Sequence, residues 1–292
     1  MSLDQPLVSI GMPVRNCQLT VKMSIDSIIM QTYDNWELII INDGSTDNTF
    51  DIIKSYNDDR IKIYSSERSY GLPYQLNRAI IASAGKYFAR MDGDDISYPN
   101  RLEMQIKFME RNCGIDLVGS SILVFNSNGM SLGKRVMPIT HSVICRSPYS
   151  GFPIAHPTFL GRLDWFKKYY YRIGAVRCED QDLLLRSFRD SKFANVDMIL
   201  LGYREDRIDI SKTYIGRKSW VKSVNKDKSI CGKRGLPIMT AAEQLCKLTV
   251  DYLAVKTNLN YFLLRNRATK VLNNERDEWA NIWKQVNCLG RG

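Results

Sequence analysis

Short apolar runs that suit β-strands alternate with helical patterns over the first 91 residues, and this alternation constrains the fold more than any other feature of the chain. The run WELIII at 36–41 is apolar nearly throughout, as a parallel strand covered on both faces should be. The alternation predicts an α/β fold with an open, mostly parallel sheet flanked by helices. The expected strands are 8–13, 36–41, 61–64 and 86–91, and the expected helices are 19–31, 45–56 with Ser45 or Thr46 as its cap, and 72–84.

The remainder of the chain divides at about residue 211. Residues 101–211 continue the α/β pattern less regularly, and residues 140–160, rich in Pro, Gly and Ser, indicate a loop. Residues 212–240 are polar and basic with little pattern. We expect an α/β domain at 1–211 and a mainly helical, basic extension at 212–292. The further expected elements are helices at 99–111, 180–189, 241–265 and 276–289, and strands at 116–125, 134–138 and 198–203.

The net charge of +10 comes wholly from the C-terminal part of the chain. Residues 1–211 contain 25 Lys/Arg and 25 Asp/Glu, whereas residues 212–292 contain 16 Lys/Arg and 6 Asp/Glu. A neutral body with a cationic tail is not typical of a nucleic-acid enzyme. It indicates that the tail meets an anionic surface or an anionic substrate. A solvated basic surface without a partner is the alternative.

The composition favours a cytoplasmic protein. Seven scattered cysteines, none in a C-x-x-C pair, indicate neither a disulfide framework nor a zinc site. No apolar run approaches the roughly 18 residues of a membrane-spanning helix, and the N-terminus lacks the basic-then-apolar pattern of a signal peptide. Peripheral contact with the inner face of a membrane, through the basic tail, is compatible with this expectation, as is an oligomer.

Polar clusters follow three of the predicted strands, at 13–16 (PVRN), 42–45 (NDGS) and 92–95 (DGDD). The carboxyl ends of parallel strands share one edge of a sheet, where ligands bind, so these clusters should converge. Asp43 is suited to accept hydrogen bonds from a base N–H or a ribose hydroxyl. The crowded aspartates at 92–95 suit a hard divalent cation that completes its shell with phosphate oxygens. Since Asp-Gly-Asp is also common turn chemistry, a solvated turn is the alternative.

The sequence lacks the usual phosphate-binding motifs. There is no G-x-x-x-x-G-K-[ST], and no G-x-G-x-x-G follows the first predicted strand. Readings as a P-loop enzyme or as a dinucleotide-binding enzyme therefore lose support.

Six motifs follow one another in order: VSIGMPVRN, ELIIINDGSTDNT, SYGLPYQLNRAI, GKYFARMDGDDISYPNRLEMQ, HPTFLGR and CEDQDLLLR. This set, which covers about residues 7–211, resembles family 2 glycosyltransferases of the GT-A fold. The resemblance implies a Rossmann-like sheet with a nucleotide-sugar-binding half at 1–100 and an acceptor-side half at 101–211. It also implies a mostly inverting enzyme that uses Mn²⁺ or Mg²⁺ and moves a sugar from a nucleotide-sugar, often a UDP-sugar, to an acceptor hydroxyl.

The resemblance assigns donor-side roles residue by residue. Pro13, Arg15 and Asp43 match the nucleoside pocket, and Arg68 falls in the segment that meets the base. Arg90 is expected to steer the diphosphate.

The aspartate cluster receives separate roles in the same way. Asp92 matches the aspartate near the ribose and is a second candidate metal ligand, while Asp94 matches the metal-binding aspartate. Gly93 lets the turn bring these two carboxylates to one ligand. Asp95 is expected to make a structural hydrogen bond to the following turn.

The segment Glu179-Asp180-Gln181-Asp182 matches the family motif at the start of a helix. The resemblance makes Asp180 the general base that takes the proton of the acceptor hydroxyl, with Glu179 as the second choice. Asp182 is assigned a favourable interaction with the helix dipole.

The acceptor side is less well defined by the sequence. His156, in IAHPTF, matches a motif near the acceptor, although a lone histidine is more often structural. Many relatives carry a histidine shortly after a Tyr-Arg pair, whereas here Glu205-Asp206-Arg207 follows that pair. Asp206 is a candidate replacement metal ligand and Arg207 a candidate phosphate contact, and water in place of a third protein ligand is the alternative.

The expected function is glycosyl transfer in the synthesis of a surface polysaccharide or a lipid-linked glycan. The acceptor is inferred from the cationic tail and its amphipathic helices. A nucleotidyltransferase acting on sugar phosphates is a second hypothesis, because it also places carboxylates and metal beyond an α/β sheet. A non-catalytic protein that binds nucleotide-sugar or glycan is a third.

Overall fold

The computed structural model describes residues 5–206, 208–227, 235–257, 259 and 268–289. Within them, nine strands form one sheet flanked by helices. The strands are β1 (Val8–Val14), β2 (Trp36–Asp43), β3 (Ile61–Ser66), β4 (Tyr87–Arg90), β5 (Ile96–Ser97), β6 (Leu117–Phe125), β7 (Ser131–Arg135), β8 (Leu160–Arg162) and β9 (Phe193–Arg204). The α-helices are α1 (Val21–Ile29), α2 (Thr49–Lys54), α3 (Leu72–Ala82), α4 (Arg101–Arg111), α5 (His141–Ile144), α6 (Leu163–Tyr169), α7 (Glu179–Ser187), α8 (Ile210–Asn225), α9 (Gly235–Lys256) and α10 (Asn273–Leu289).

The predicted α/β fold is confirmed, and its first four strands are mutually parallel in the order β3-β2-β1-β4. Strands β1 and β2 are buried along their whole length, because helices cover both faces of this part of the sheet. Beyond β4 the order continues β8-β6-β9-β5, with β7 paired to β6. There β8 runs antiparallel to both neighbours while β6 and β9 are parallel to each other.

The chain changes direction across the sheet between β1 and β4. It leaves β1 towards β2 and β3 on one side and returns to β4 on the other side. The register pairs Gly11 with Arg90 and Val14 with Asn42, so the segments that follow β1, β2 and β4 emerge at one edge. A switch point of this kind opens a crevice at the carboxyl ends of the strands.

Helix α2 begins later than its sequence suggests. The cap is Asn48, not Ser45 or Thr46. The reason is that Ser45 and Thr46 bond elsewhere: the Asn16 backbone N–H donates to Ser45 Oγ (3.1 Å), and the Thr46 backbone N–H donates to Asn16 Oδ1 (2.9 Å). These bonds tie the end of β1 to the end of β2.

Several other elements also differ from the sequence expectations. The short elements β5, β8, α5 and α6 were not predicted, and α5 lies in the expected loop at 140–160. Of the helix expected at 241–265, α9 accounts for the part up to Lys256, and positions 258 and 260–265 lie outside the described residues.

Strand β9 starts five residues earlier than predicted. Its pairing with β6 is interrupted where the register jumps from Ser120↔Val196 to Ser121↔Ile199, which leaves two residues of β9 unmatched. Strand β7 lies at 131–135 rather than 134–138. The polar stretch after residue 211 contains helix α8, which buries only Trp220, Ser223 and Val224 and so shows little periodicity.

Helix α10 packs on the sheet. Trp279 is buried, its ring lies 4.7 Å from that of Phe125, and its Nε1–H donates to the Gly129 carbonyl (2.7 Å). A Cβ at Gly202 would lie 2.3 Å from the Trp279 ring, so this contact requires a glycine on β9.

None of the helices in the described parts of the chain is long and apolar enough to cross a bilayer.

We expect Trp279→Ala to lower the free energy of unfolding by about 3–5 kcal/mol, because it removes a large side chain from a packed cluster. Thermal and urea unfolding of the full chain measure the effect. Leu272→Ala, which shortens an exposed side chain ahead of the same helix, is the matched control and should change stability by less than about 0.5 kcal/mol. Equal stability of the Trp279 variant and the native chain would show that α10 does not pack on the sheet in solution.

Candidate active site

A cleft of about 380 Å³ lies at the switch point between β1 and β4. Residues from all three polar strand ends line it, together with the loop before α3 and the first residue of α7. Among the residues that the sequence singled out, the lining includes Pro13, Arg15, Asp43, Asp92, Gly93, Asp94 and Glu179.

Three carboxylates cluster directly after β4. Oxygen atoms of Asp92, Asp94 and Asp95 all lie within 4.8 Å of one another. Gly93 is required in this turn, because a Cβ there would lie 2.6 Å from the Cγ1 atom of Val14. The close passage of the turn over β1 therefore brings Asp92 and Asp94 to the same side of the cleft.

The three aspartates differ in their surroundings. Asp94 is exposed in the cleft, and Asp95 is buried. One Asp95 oxygen accepts a hydrogen bond from the Arg204 backbone N–H (2.9 Å), while Oδ2 has no partner within the described residues. Asp95 therefore holds the end of β9, not the turn that follows it in sequence.

The surroundings of Asp94 raise the pKa of its carboxyl group. Desolvation by the surrounding protein, and next the Asp92 charge, raise the pKa of Asp94 to about 6. Because the side chain is exposed to the cleft, solvent limits the desolvation part, and the repulsion from Asp92 is the part that a cation would cancel. The cluster is thus arranged to favour the arrival of positive charge.

Arg90 lies behind this cluster instead of facing the cleft. Its side chain is 4% exposed and forms an ion pair with Asp92. Its Nε and Nη1 atoms have no hydrogen-bond partner within the described residues. Arg101 Nη2 donates to the Arg90 carbonyl (2.8 Å) and holds the end of β4. Arg90 therefore positions Asp92 from the buried side of the turn.

Asp43 organises the loop at the opposite wall. It accepts hydrogen bonds from Ser69 Oγ (2.6 Å), the Tyr70 backbone N–H (2.8 Å) and the Gly71 backbone N–H (3.0 Å), and from the Gln75 amide. These bonds together lower its pKa, although burial acts to raise it. Asp43 is therefore ionised, and it reaches the cleft with part of its surface.

Tyr70 is a cleft residue that the sequence did not single out. Its ring stacks on Tyr74 at 4.9 Å and lines the cleft. Arg68, expected near the base, lies with its guanidinium 5.0 Å from the Tyr70 ring centre and is not among the lining residues. The Tyr70 side chain is 44% exposed, and an aromatic ring of this kind can stack with a nucleobase.

Glu179 and Asp180 begin helix α7. Glu179 lines the cleft, whereas Asp180 is half-buried beside it and accepts a hydrogen bond from Gln181 Nε2 (3.1 Å). Gln181 is itself fixed, because its Oε1 accepts from the Phe152 backbone N–H (2.7 Å). Burial, and next the Asp180 charge, raise the pKa of Glu179 to about 7. Burial also raises the pKa of Asp180 above its usual value.

Asp182 has a structural role. Its two oxygens pair with Arg172 (2.9 Å) and Arg186 (2.8 Å), and the carboxylate is almost fully buried. These two ion pairs, more than the helix dipole, stabilise the buried negative charge of Asp182.

The remaining sequence candidates lie away from the lining of the cleft. His156 is buried, with Nε2 at 3.0 Å from the Tyr171 hydroxyl. Burial, and next the Arg90 charge, hold the pKa of His156 well below its usual value, so the ring is neutral. Asp206 accepts hydrogen bonds from the Ser127 backbone N–H (2.7 Å) and Oγ (2.6 Å), and Arg207 lies outside the described residues.

Arg204 is the cation that sequence reasoning missed. Its Nε donates to the Asp94 carbonyl (2.9 Å), so the end of β9 is fixed to the acidic turn. The Tyr203-Arg204 pair was noted in the sequence, but its 110-residue separation from Asp94 gave no sign of contact. Two exposed apolar side chains, Ile173 and Val176, complete the cleft next to Arg177.

Comparisons with known proteins bear on the family and the fold of the chain. The family model described as glycosyl transferase family 2 matches residues 9–170. The protein EpsE of Bacillus subtilis (strain 168), named as a glycosyltransferase, is 38% identical over 208 residues, which are 69% of this chain and 74% of that protein. The Escherichia coli protein WfgD, named as a UDP-Glc:alpha-D-GlcNAc-diphosphoundecaprenol beta-1,3-glucosyltransferase, is 37% identical over 147 residues, 50% of this chain and 57% of that protein.

Solved structures share the fold at low sequence identity. Residues 1–349 of S. aureus TarS in complex with UDP give a TM-score of 0.58 at 19% identity, over 96% of this chain and 79% of that chain. The mannosyltransferase PcManGT from Pyrobaculum calidifontis, in complex with GDP-Man and Mn²⁺, gives 0.60 at 12% identity, over 99% and 88%. The fold is that of GT-A glycosyltransferases, and the sequence matches identify the chain as a glycosyltransferase. The chain belongs to glycosyl transferase family 2.

Proposed function

We propose that this glycosyltransferase is a metal-dependent, inverting enzyme that moves a sugar from a nucleotide diphosphate sugar to an acceptor hydroxyl. The observation that carries the proposal is a single cleft lined by Asp92, Asp94 and Glu179, with Asp180 next to Glu179 at the start of α7. Inversion needs a base and a departing diphosphate on opposite faces of the sugar. Carboxylates from two separate segments of the chain at one cleft are compatible with this division of roles.

The residues at the acidic turn fit a divalent cation. The cluster of three carboxylates, the unpartnered buried oxygen of Asp95 and the raised pKa of Asp94 are each relieved by positive charge. Asp94 and Asp92 would hold Mn²⁺ or Mg²⁺, and Arg90 and Arg204 keep the turn in place. The cation, when bound, neutralises charge on the leaving diphosphate.

The nucleoside is proposed to lie against the wall formed by Tyr70 and Asp43, with Pro13 and Arg15 at the end of β1. Tyr70 offers its ring to the base, and Asp43 keeps the loop at 69–71 in position for it. UDP is the proposed nucleotide, supported by the UDP complex of TarS and by the UDP-Glc in the name of WfgD. The GDP-Man complex of PcManGT shows that the same fold also accepts GDP.

Asp180 is proposed as the general base, on the match to the family motif. Its raised pKa suits a group that must take a proton from a hydroxyl. Glu179 precedes it in the sequence and lines the cleft, and the ionised form of Glu179 would favour a positively charged, oxocarbenium-like transition state.

The proposed acceptor is a lipid-linked or surface-polysaccharide intermediate. The support is the diphosphoundecaprenol in the name of WfgD and the two exposed apolar side chains, Ile173 and Val176, that line the cleft. An acceptor carried by a lipid would place the reaction at the cytoplasmic face of a membrane.

A donor screen tests the proposal. The purified 292-residue chain is incubated with UDP-, GDP- and dTDP-sugars in Mn²⁺, Mg²⁺ or EDTA, and released nucleoside diphosphate and pyrophosphate are measured separately. We expect nucleoside diphosphate from one UDP-sugar, with release in EDTA at least about tenfold slower. Pyrophosphate release would instead indicate a nucleotidyltransferase. Binding of a donor without any turnover, in the presence of candidate acceptors, would indicate a non-catalytic protein.

A further inference from the structure

Helix α9 is oriented with its polar side inward. Its buried residues include Thr240, Gln244 and Asp251, and the last two contact α8. Arg217 of α8 donates to the Gln244 amide oxygen (2.8 Å) and to the Asp251 carboxylate (2.6 Å). A surface helix of a globular protein normally buries its apolar stripe and exposes its polar one. In α9 a polar network provides the attachment, and the apolar side chains are left on the outside.

The outward face of α9 is extensive and nearly uncharged. Ile238, Met239 and Leu245 are 68%, 69% and 64% exposed, and Val250 and Leu253 are more than half exposed. Of the exposed residues from 238 to 253, only Lys247 is charged, and it pairs with Glu243 of the same helix. We call this surface the outer face of α9. A contiguous exposed apolar surface of this kind marks a binding site for a partner or a membrane.

The apolar surface continues onto α8. A hollow of about 300 Å³ between the two helices has almost entirely apolar walls, formed by Ile210, Tyr214, Leu248, Thr249 and Tyr252. The two tyrosines are about half exposed at its mouth. Tyrosine is enriched at the interface between lipid and water, since its ring is apolar and its hydroxyl is wet.

A row of lysines borders this surface. Helix α8 has no acidic residue from Ile210 to Lys226, and it exposes Lys218, Lys222 and Lys226, with Lys218 over the Tyr214 ring; Lys212 pairs with Asp209 instead. Lys218 and Lys222 lie one turn apart on the same side of the helix. The combination of an apolar face, tyrosines and flanking lysines is that of helices that lie in the plane of an anionic membrane surface.

A second copy of this chain is a poorer occupant. A two-fold contact through the outer face of α9 would bring two lysine rows together, and residues 212–292 of each copy carry the whole net charge of +10. Helix α10 contributes no competing surface, because its apolar side chains Trp279, Ile282 and Val286 are buried. Of the two amphipathic helices that the sequence suggested for membrane contact, α9 is therefore the better candidate.

We propose that the outer face of α9, bordered by the lysines of α8, binds the surface of an anionic lipid bilayer. The apolar side chains enter the interface between headgroups and acyl chains, and the lysines contact the anionic headgroups. The inference does not depend on the chemistry of the cleft, because binding to lipid requires neither donor nor metal.

Vesicle co-sedimentation of the 292-residue chain tests the proposal. Vesicles of phosphatidylcholine alone are compared with vesicles that contain phosphatidylglycerol as well, at low and high salt. We expect binding to the anionic vesicles that weakens at high salt, and little binding to phosphatidylcholine alone. Ile238→Glu combined with Leu245→Glu should lower the partition coefficient at least about tenfold, since two apolar side chains leave the interface.

Ile81→Glu combined with Leu19→Glu is the matched control, because both side chains are similarly exposed on other helices or loops of the protein. This control should bind vesicles as the native chain does. Equal binding by the α9 variant and the native chain, or no binding to anionic vesicles, would overturn the proposal. So would a dimer in light scattering that the α9 variant dissociates, because the occupant would then be a second copy. Nucleoside diphosphate release in the donor screen should be the same for the α9 variant, which separates a failure here from a failure of the proposed function.

Discussion

Asp180→Asn is expected to lower kcat for sugar transfer by about 10²–10⁴-fold, the range typical for loss of a general base. The asparagine keeps the size and the hydrogen bond to Gln181 but cannot accept the proton of the acceptor hydroxyl. Donor binding and metal dependence should change little, since Asp180 is not among the residues that line the donor side of the cleft. Steady-state rates of nucleoside diphosphate release, with a calorimetric measurement of donor affinity, check both parts.

The pH profile distinguishes the two neighbouring carboxylates. A general base must be ionised, so the rate falls as the pH drops through its pKa, and the raised pKa of Asp180 places that fall above the pH of an ordinary aspartate. The Asp180 charge raises the pKa of Glu179 and not the reverse, so Glu179→Gln should leave the acidic limb in place if Asp180 is the base. Asp190→Asn, an exposed charge change beyond the same helix, should leave the profile unchanged. If Glu179→Gln abolishes transfer and Asp180→Asn does not, Glu179 is the base.

The position of the cleft could be predicted because it follows from the first half of the sheet. Buried parallel strands leave long apolar runs such as 36–41, which are easy to recognise, and their carboxyl ends necessarily meet at one edge. The polar residues after β1, β2 and β4 therefore had to lie together. Their roles came from the resemblance, and the spacing alone left a solvated turn open.

The contacts made across long sequence separations could not be predicted. Arg204 reaches the carbonyl of Asp94, and Asp206 caps the Ser127 turn, because β9 lies beside β5 and β6 in the sheet. No local pattern encodes that neighbourhood. Arg90, expected to steer the diphosphate, lies in the buried layer behind Asp92. Which side of a strand end faces the ligand depends on packing that a single sequence does not show.

Helices α8 and α9 show a second limit. Leu245 and Tyr252 form an apolar stripe at helical spacing, and such a stripe normally predicts the buried side of a helix. Both residues are exposed, because Arg217 attaches the opposite, polar side of α9 to α8. Periodicity identifies a face that avoids water, but it does not say whether protein or another surface covers that face.

Asp94→Asn is expected to reduce metal-dependent transfer by at least about 100-fold, since even residues that only support a metal ligand account for 10–100-fold in affinity or activity. In metal-free buffer the same variant should be more stable than the native chain, because it removes one of three carboxylates whose oxygens lie within 4.8 Å of one another. Mn²⁺ should raise the Tm of the native chain and leave that of the variant nearly unchanged.

The gain in stability and the loss of activity expected for the Asp94 variant together test its assignment as a metal ligand. Replacing a residue that only stabilised the turn would make the protein less stable. Replacing a metal ligand held among like charges makes the protein more stable but less active. Thermal unfolding with and without Mn²⁺, together with Mn²⁺ binding followed by electron paramagnetic resonance, measures both. Asp59→Asn, a charge change at an exposed position far from the cleft, is the matched control and should behave as the native chain. If Mn²⁺ stabilises the Asp94 variant as much as the native chain, the acidic turn is a solvated turn and the metal assignment is wrong.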